Sequence, residues 1–263
     1  MNDKRGLEKP KTQEGQKDMN LQKDQIPIVY QRTEEFSAED VLKEAALQYA
    51  VHSYERQGEY TLEDYYALPD EQRVELIDGV FFDMAAPYTT HQIAGFEISL
   101  QLGSYIKSQK GSCRAMYAPV DVQLDCDDRT MVQPDVLVVC DKGKIRKRCV
   151  YGAPDFVIEV LSDSTARKDR TVKLRKYLNA GVREYWLVDL EQEKVIVYDA
   201  TDEIGAGVNE TGANSVDGNR TDMRYRTFIY GMDQPVPVQI FGGKCQIYFD
   251  EICEAVRPIL QQN

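Results

Sequence analysis

The chain has 263 residues, 42% of them hydrophobic, and a net charge of −12. That is apolar content enough for one well-cored domain with an appendage. It includes no run of about 18 apolar residues to cross a membrane, and the polar N-terminus has no apolar stretch of the kind a secretory signal needs. The acidic balance argues against a nucleic-acid partner, with one local exception: residues 142–176 gather eleven Lys or Arg against four acids, an island of +7.

Residues 1–36, rich in Lys, Gln and Asp, read as a disordered tail. From Ser37, apolar residues recur near helical spacing behind a Ser37–Asp40 capping pair, which predicts an accessory helix over 37–59. The main domain is expected over 60–263. Thr61 and Asp64 open a short helix, with Pro69 after its end. In "VELIDGVFFDM", Asp78-Gly79 between two apolar runs predicts a hairpin, because a type I′ turn needs positive φ at both central residues. "HQIAGFEISLQLGSYIKSQ" predicts a helix of about five turns, opened by Thr89 or Thr90. "RAMYAPVDVQL" alternates like a strand, whereas "DVLVVC" and "DFVIEVLS" are short continuous apolar runs, as in central strands covered on both faces.

"STARKDRTVKLRKYLNAGV" predicts an amphipathic helix with Leu174, Tyr177 and Leu178 on its stripe and Gly181 past its end. Ser162 and Ser164 fit turn and cap positions at its start, since no His-Asp pair accompanies them. "EYWLVDLEQEKVIVYD" predicts a hairpin, and 201–222 a Gly/Asn-rich flexible loop. "VPVQIFGGKCQIYFDEICEAVRPIL" predicts a strand or two and a terminal helix. Strands and helices interleave, so the expected fold class is α/β (α+β), a mixed central β-sheet flanked by helices. The six cysteines form no CxxC pair, and reduced thiols in a cytoplasmic protein are expected.

The chemistry gathers where Pro-Asp occurs twice. Asp135 opens one apolar strand and Glu159 sits inside the next. An ionised carboxylate in a covered strand is costly unless it is paired or metal-bound. Two acids on neighbouring strands repel unless a cation lies between them. Two carboxylates, a backbone carbonyl and water suit Mg2+ or Mn2+.

Pro134-Asp135 followed by Glu159 resembles the PD-(D/E)xK nuclease signature. The ordered blocks "VELIDGVFFDM", His91 near the start of the next helix, "VQPDVLVV", "GAPDFVIEVLSDST" and "DRTVKLRKYLNAGVREYWLVD" narrow the resemblance to the Uma-two family of restriction endonucleases, over roughly residues 60 to 250. The resemblance implies a restriction-endonuclease-like core and a Mg2+- or Mn2+-dependent endonuclease acting on DNA as a homodimer. It implies metal binding by Asp135, Glu159 and the Val160 carbonyl, with Glu75 completing the shell through water. Where the superfamily pattern has lysine, this chain has Leu161. The lysine that matches the family stands instead on the following helix, as Lys173, to orient water and stabilise phosphoryl charge. His91 is expected to contact substrate or assist proton transfer. Lys142, Lys144, Arg146, Lys147, Arg148, Arg167, Lys168 and Arg170 are expected to meet the nucleic acid.

Blander readings stand beside these. Asp135 also reads as a strand-edge cap, Glu159 as the partner of a structural Arg, Lys173 as a surface lysine, and His91 as a helix-start residue. Asp155 reads as a strand-start residue. The alternative function is a nuclease-fold DNA- or protein-binding module without turnover.

Overall fold

The computed structural model describes residues 56–69, 71–201 and 225–262. The expected tail over 1–36 and the loop over 201–222, apart from Thr201, lie outside the described residues. So does the accessory helix over 37–59, except for 56–59, which form a turn.

Helix α1 (Leu62–Ala67) starts where Asp64 accepts the Thr61 N–H at 2.9 Å, as a capping pair should. β1 (Val74–Ile77) and β2 (Val80–Asp83) pair with Ile77 opposite Val80. The two residues between them, Asp78 at φ 51° and Gly79 at φ 80°, form the type I′ link. In α2 (Thr89–Ser108) the extended residue at the boundary is Tyr88, which offers no side-chain cap. Thr89 and Thr90 therefore begin the helix rather than cap it. Its buried Thr90, Ala94, Ile98, Leu102 and Ile106 fall four apart and form the face that packs on the sheet.

The single strand expected in "RAMYAPVDVQL" is two, β3 (Arg114–Tyr117) and β4 (Val122–Gln123). Pro119 lies between them and has no N–H to give a ladder. β5 (Val136–Val139), β6 (Val150–Tyr151) and β7 (Phe156–Val160) follow. The next helical segment is α3 (Ala166–Lys168), a π-helical turn (Asp169–Lys173) and α4 (Leu174–Ala180), closed by Gly181 at φ 95°. Then come β8 (Glu184–Asp189), β9 (Lys194–Asp199), β10 (Arg226–Gly231), β11 (Val236–Val238), β12 (Cys245–Ile247) and α5 (Asp250–Leu260).

The central sheet has the order β10-β9-β8-β7-β5-β3. Only β7 and β8 run parallel; the other neighbours are antiparallel. A parallel pair needs a crossover, and the helical segment over 166–180 supplies it. The fold is thus mixed α/β, with helices on both sides of a mixed sheet. On one face Val136, Val138, Phe156, Ile158, Val160 and Trp186 pack against α2 and α5. On the other, Leu137, Val139, Val157 and Leu187 pack under the β1–β2 hairpin and Tyr177. Each fully buried large side chain of these sets contributes about 1.5–3 kcal/mol. β7 alternates between the faces, so Glu159 shares the side of Val157, towards the hairpin and the crossover.

Cys113 and Cys140 form a disulfide, contrary to the reduced thiols expected. They are the next pair beyond Arg114–Val139 in the β3–β5 register, so antiparallel pairing alone sets them opposite each other. Among the described residues, no helix is long and apolar enough to cross a membrane.

The hairpin turn gives a test. A Cβ on Gly79 would stand 2.7 Å from the Gly58 carbonyl oxygen and 2.9 Å from its carbon, in a backbone region that side chains rarely adopt. Gly79→Ala is expected to lower stability by about 2 kcal/mol, read as a lower urea midpoint at unchanged slope. An unchanged midpoint would show that the Gly58 turn simply gives way.

Candidate active site

Because Val136 pairs with Ile158, the next partners in the antiparallel ladder are Asp135 and Glu159. Opposed residues share a face, so both acids point towards the hairpin side. Asp135 Oδ2 accepts the Val160 N–H at 2.8 Å and lies 3.0 Å from His91 Nε2. Asp135 thus ties β5 to β7 at the end of the pairing while holding a ring from the first turn of α2. Burial works against the His91 imidazolium. The hydrogen bond to Asp135, the Asp135 and Asp169 charges and a hydrogen bond to the Val160 backbone outweigh it and raise the His91 pKa.

Glu75, from β1, is 1% exposed. Its Oε2 takes Lys168 Nζ at 2.7 Å, and its Oε1 takes Lys173 Nζ at 2.8 Å and the Gln133 N–H at 3.0 Å. Burial alone would raise its pKa, but the two ammonium groups overcome that and bring it down to about 2. Glu159 Oε1 takes Lys173 Nζ at 2.6 Å and Tyr177 Oη at 2.7 Å. Burial pushes the Glu159 pKa well up, against Lys173, and the charges of Asp135, Asp169 and Glu75 add to it. Lys173 is held firmly as an ammonium: burial opposes the charge, but Glu159, Glu75 and Asp169 more than restore it.

Lys168 and Lys173 reach the same carboxylate because of the π-helical turn. Residues five apart in a regular α-helix point roughly 140° apart. The wider turn over Asp169–Lys173 closes that angle and brings both to one side. Lys168, expected on the nucleic-acid surface, is consequently 5% exposed and bound to Glu75. The turn also buries Asp169, which the sequence reading did not single out. Its one legible signal was an acid four residues before Lys173 inside an amphipathic helix. Burial raises the Asp169 pKa, against Lys173 and Lys168.

These groups line a cleft of about 650 Å³ whose wall includes Arg73, His91, Asp135, Glu159, Asp169 and Lys173. The other basic residues expected to meet nucleic acid do not line it. Lys142, Arg146, Lys147, Arg148 and Arg167 are exposed and Lys144 is half-buried, donating to the Ala153 carbonyl at 2.8 Å. Arg146 and Arg148 lie over the rings of Tyr151 and Tyr66, at 3.5 and 4.0 Å. Arg170 pairs with Asp189 at 3.0 Å. Asp155 accepts the Cys140 N–H at 2.7 Å and pairs with Arg183, which is the work of a strand-start residue.

Four carboxylates, Glu75, Asp135, Glu159 and Asp169, therefore face two lysines and a histidine. The donor chemistry fits a hard divalent cation: Asp135 and Glu159 offer oxygens on one face, beside the Val160 backbone, and the four acids outnumber the two lysines. As placed, no three His, Cys, Asp or Glu side chains among the described residues stand close enough to hold an ion. Water would have to complete the shell.

Residues 62–215 match the Uma2 family, described as "Putative restriction endonuclease". An uncharacterized protein of Synechocystis sp. is 26% identical over 144 residues, 54% of this chain and 74% of that protein. A crystal structure titled as a "putative nuclease belonging to DUF820" from Anabaena variabilis superposes with a TM-score of 0.56 at 21% identity, covering 74% of this chain and 97% of the other. That likeness extends the fold beyond this chain.

The Glu75 carboxylate sets a pH test. Its folded pKa, about 2, lies below the ordinary 4.5, so its stabilisation is present above pH 4.5 and lost as pH falls through 2. The wild type is expected to exceed Glu75→Gln by about 3 kcal/mol near neutrality. Urea unfolding at a series of pH values should show that gap narrowing below pH 4.5. A gap independent of pH would mean that the carboxylate is not carrying the two ammonium groups.

Proposed function

The chain belongs to the Uma2 family, and on that footing we propose that the cluster of Asp135, Glu159 and Lys173 is the centre of a metal-dependent endodeoxyribonuclease. One observation carries the reading. A fully buried ammonium, Lys173 Nζ, stands 2.6 Å from Glu159 at a cleft wall that also holds Asp135. An ammonium ringed by an excess of acid on an open cleft wall fits a site for a cation and a phosphoryl group.

Asp135 and Glu159 would hold Mg2+ or Mn2+, with the Val160 carbonyl and water as further donors. The ion, when bound, lowers the pKa of a water molecule and neutralises phosphoryl charge. Lys173 is too firmly protonated to act as a base. It serves as a fixed positive charge that hydrogen-bonds the attacking water or the phosphoryl oxygen. Glu75 and Tyr177 keep that ammonium and the Glu159 carboxylate in place. His91 orients Asp135 and presents its ring to the cleft, where it meets substrate. The exposed arginines and lysines of 142–148 offer charge to the DNA backbone away from the reacting phosphate. Cutting two strands needs two such centres, which a two-fold homodimer supplies.

A second reading, a nuclease-fold binding module without turnover, has one observation in its favour: Lys173 and Tyr177 both already occupy Glu159 Oε1. Supercoiled plasmid separates the two. With Mg2+ or Mn2+ the wild type is expected to nick it, and Asp135→Ala, Glu159→Ala and Lys173→Ala each to lose at least about 100-fold in rate. Plasmid binding without nicking, unchanged by Lys173→Ala, would establish the second reading instead.

A further inference from the structure

Asp169 has no part in the scheme above, yet it is placed with care. It is 2% exposed, lines the same cleft as Glu159 and Lys173, and its Oδ1 has no hydrogen-bond partner. A buried carboxylate oxygen without a donor is destabilising, so a fold that keeps one invites a reason. The nearest cation is Lys173 Nζ, at 3.8 Å, too long for a hydrogen bond. That same Nζ sits at 2.8 Å from Glu75 and 2.6 Å from Glu159. Three carboxylates thus surround one ammonium, and two of them are engaged.

Glu159 is also a proposed ligand for the divalent ion. An ammonium and a divalent cation on one carboxylate repel each other strongly in a buried site. For Glu159 to serve the ion, Lys173 must loosen its hold without losing its charge. We propose that Asp169 is a positioning residue that gives the Lys173 ammonium a second seat, taken when a divalent cation engages Glu159. The move required is about 1 Å, from 3.8 Å to a charge-assisted hydrogen bond. Glu75 stays bonded throughout and acts as the pivot. Asp169 and Lys173 are the first and last residues of the π-helical turn, so the wide turn sets the distance from the ammonium to its second seat. The inference rests on the cation site proposed at Asp135 and Glu159.

Calorimetric titration of the full chain with Mn2+, without DNA, tests it, with the Asp135→Ala/Glu159→Ala double variant as the measure of non-specific binding. Asp169→Asn removes the anionic seat and is expected to weaken Mn2+ binding about tenfold, the size of one charge-assisted hydrogen bond. In a Lys173→Met background there is no ammonium to reseat, so Asp169→Asn should change nothing. Equal losses in both backgrounds would mean that Asp169 meets the ion directly, and no loss in either would mean it has no such role; both overturn the proposal. Wild-type binding no different from that of the double variant would remove the cation site itself, and the second seat with it. A Mn2+-bound crystal of the unaltered protein gives a reading that does not depend on any variant folding. Lys173 Nζ should lie within hydrogen-bond distance of Asp169 Oδ1. Mn2+ on Glu159 with that gap still near 3.8 Å overturns the idea.

Discussion

The Lys173 ammonium, bonded to both Glu75 and Glu159, joins parts of the chain that are otherwise separate. Glu75 comes from the N-terminal hairpin, Glu159 from the middle of the central sheet, and Lys173 from the crossover that makes β7 and β8 parallel. Removing Lys173 leaves the buried Glu159 without a cation, and removing Glu75 leaves the buried Lys168 without an anion, each of which costs several kcal/mol. Lys168 closes the same loop from the other oxygen of Glu75. A well-packed apolar cluster in this place would be at least as stable. The ionic arrangement therefore makes more sense as a device for presenting charge to the cleft than as a source of stability.

A buried acid alone does not mark such a place, as Glu184 shows. It lies in β8, fully buried, and burial pushes its pKa up to about 8. Its oxygens take the Trp186 indole N–H at 2.7 Å and the Ile240 N–H at 2.9 Å. No lysine approaches it among its bonded partners, and it does not line the cleft. Glu184 ties a strand to the turn before β12 and goes no further. What sets Glu159 apart is its company: a same-face acid on the neighbouring strand, an ammonium, and an open wall.

The local signals that the sequence carries strongly were readable. Asp78-Gly79 specifies its own turn, the continuous apolar runs mark β5 and β7, and Gly181 ends the crossover helix because its φ is positive. That Asp135 and Glu159 stand on neighbouring strands was legible from the two apolar runs; their opposition on one face follows from the β5–β7 register. The features that escaped all depend on tertiary fit. A π-helical turn has no composition of its own, so the inward course of Lys168 and the burial of Asp169 could not be seen. Lys168 was read from its charge as a surface residue, but a carboxylate from a strand about ninety positions earlier draws it in. The Cys113–Cys140 bond depends on the β3–β5 register, which no spacing in the chain announces. Phe96 and Leu100, apolar residues of the predicted helix, are exposed, because the sheet covers only one side of α2.

That disulfide fastens the outermost strand at one end only. β3 and β5 run antiparallel from Arg114–Val139, beside the bond, to Tyr117–Val136. The other end is next to Asp135, whose carbonyl accepts the Ala118 N–H at 2.8 Å, and leads into Ala118 and Pro119, which form part of the cleft wall. A zip held at its base can part only from the top. Any parting of this edge is thus directed towards the cleft wall and away from the disulfide.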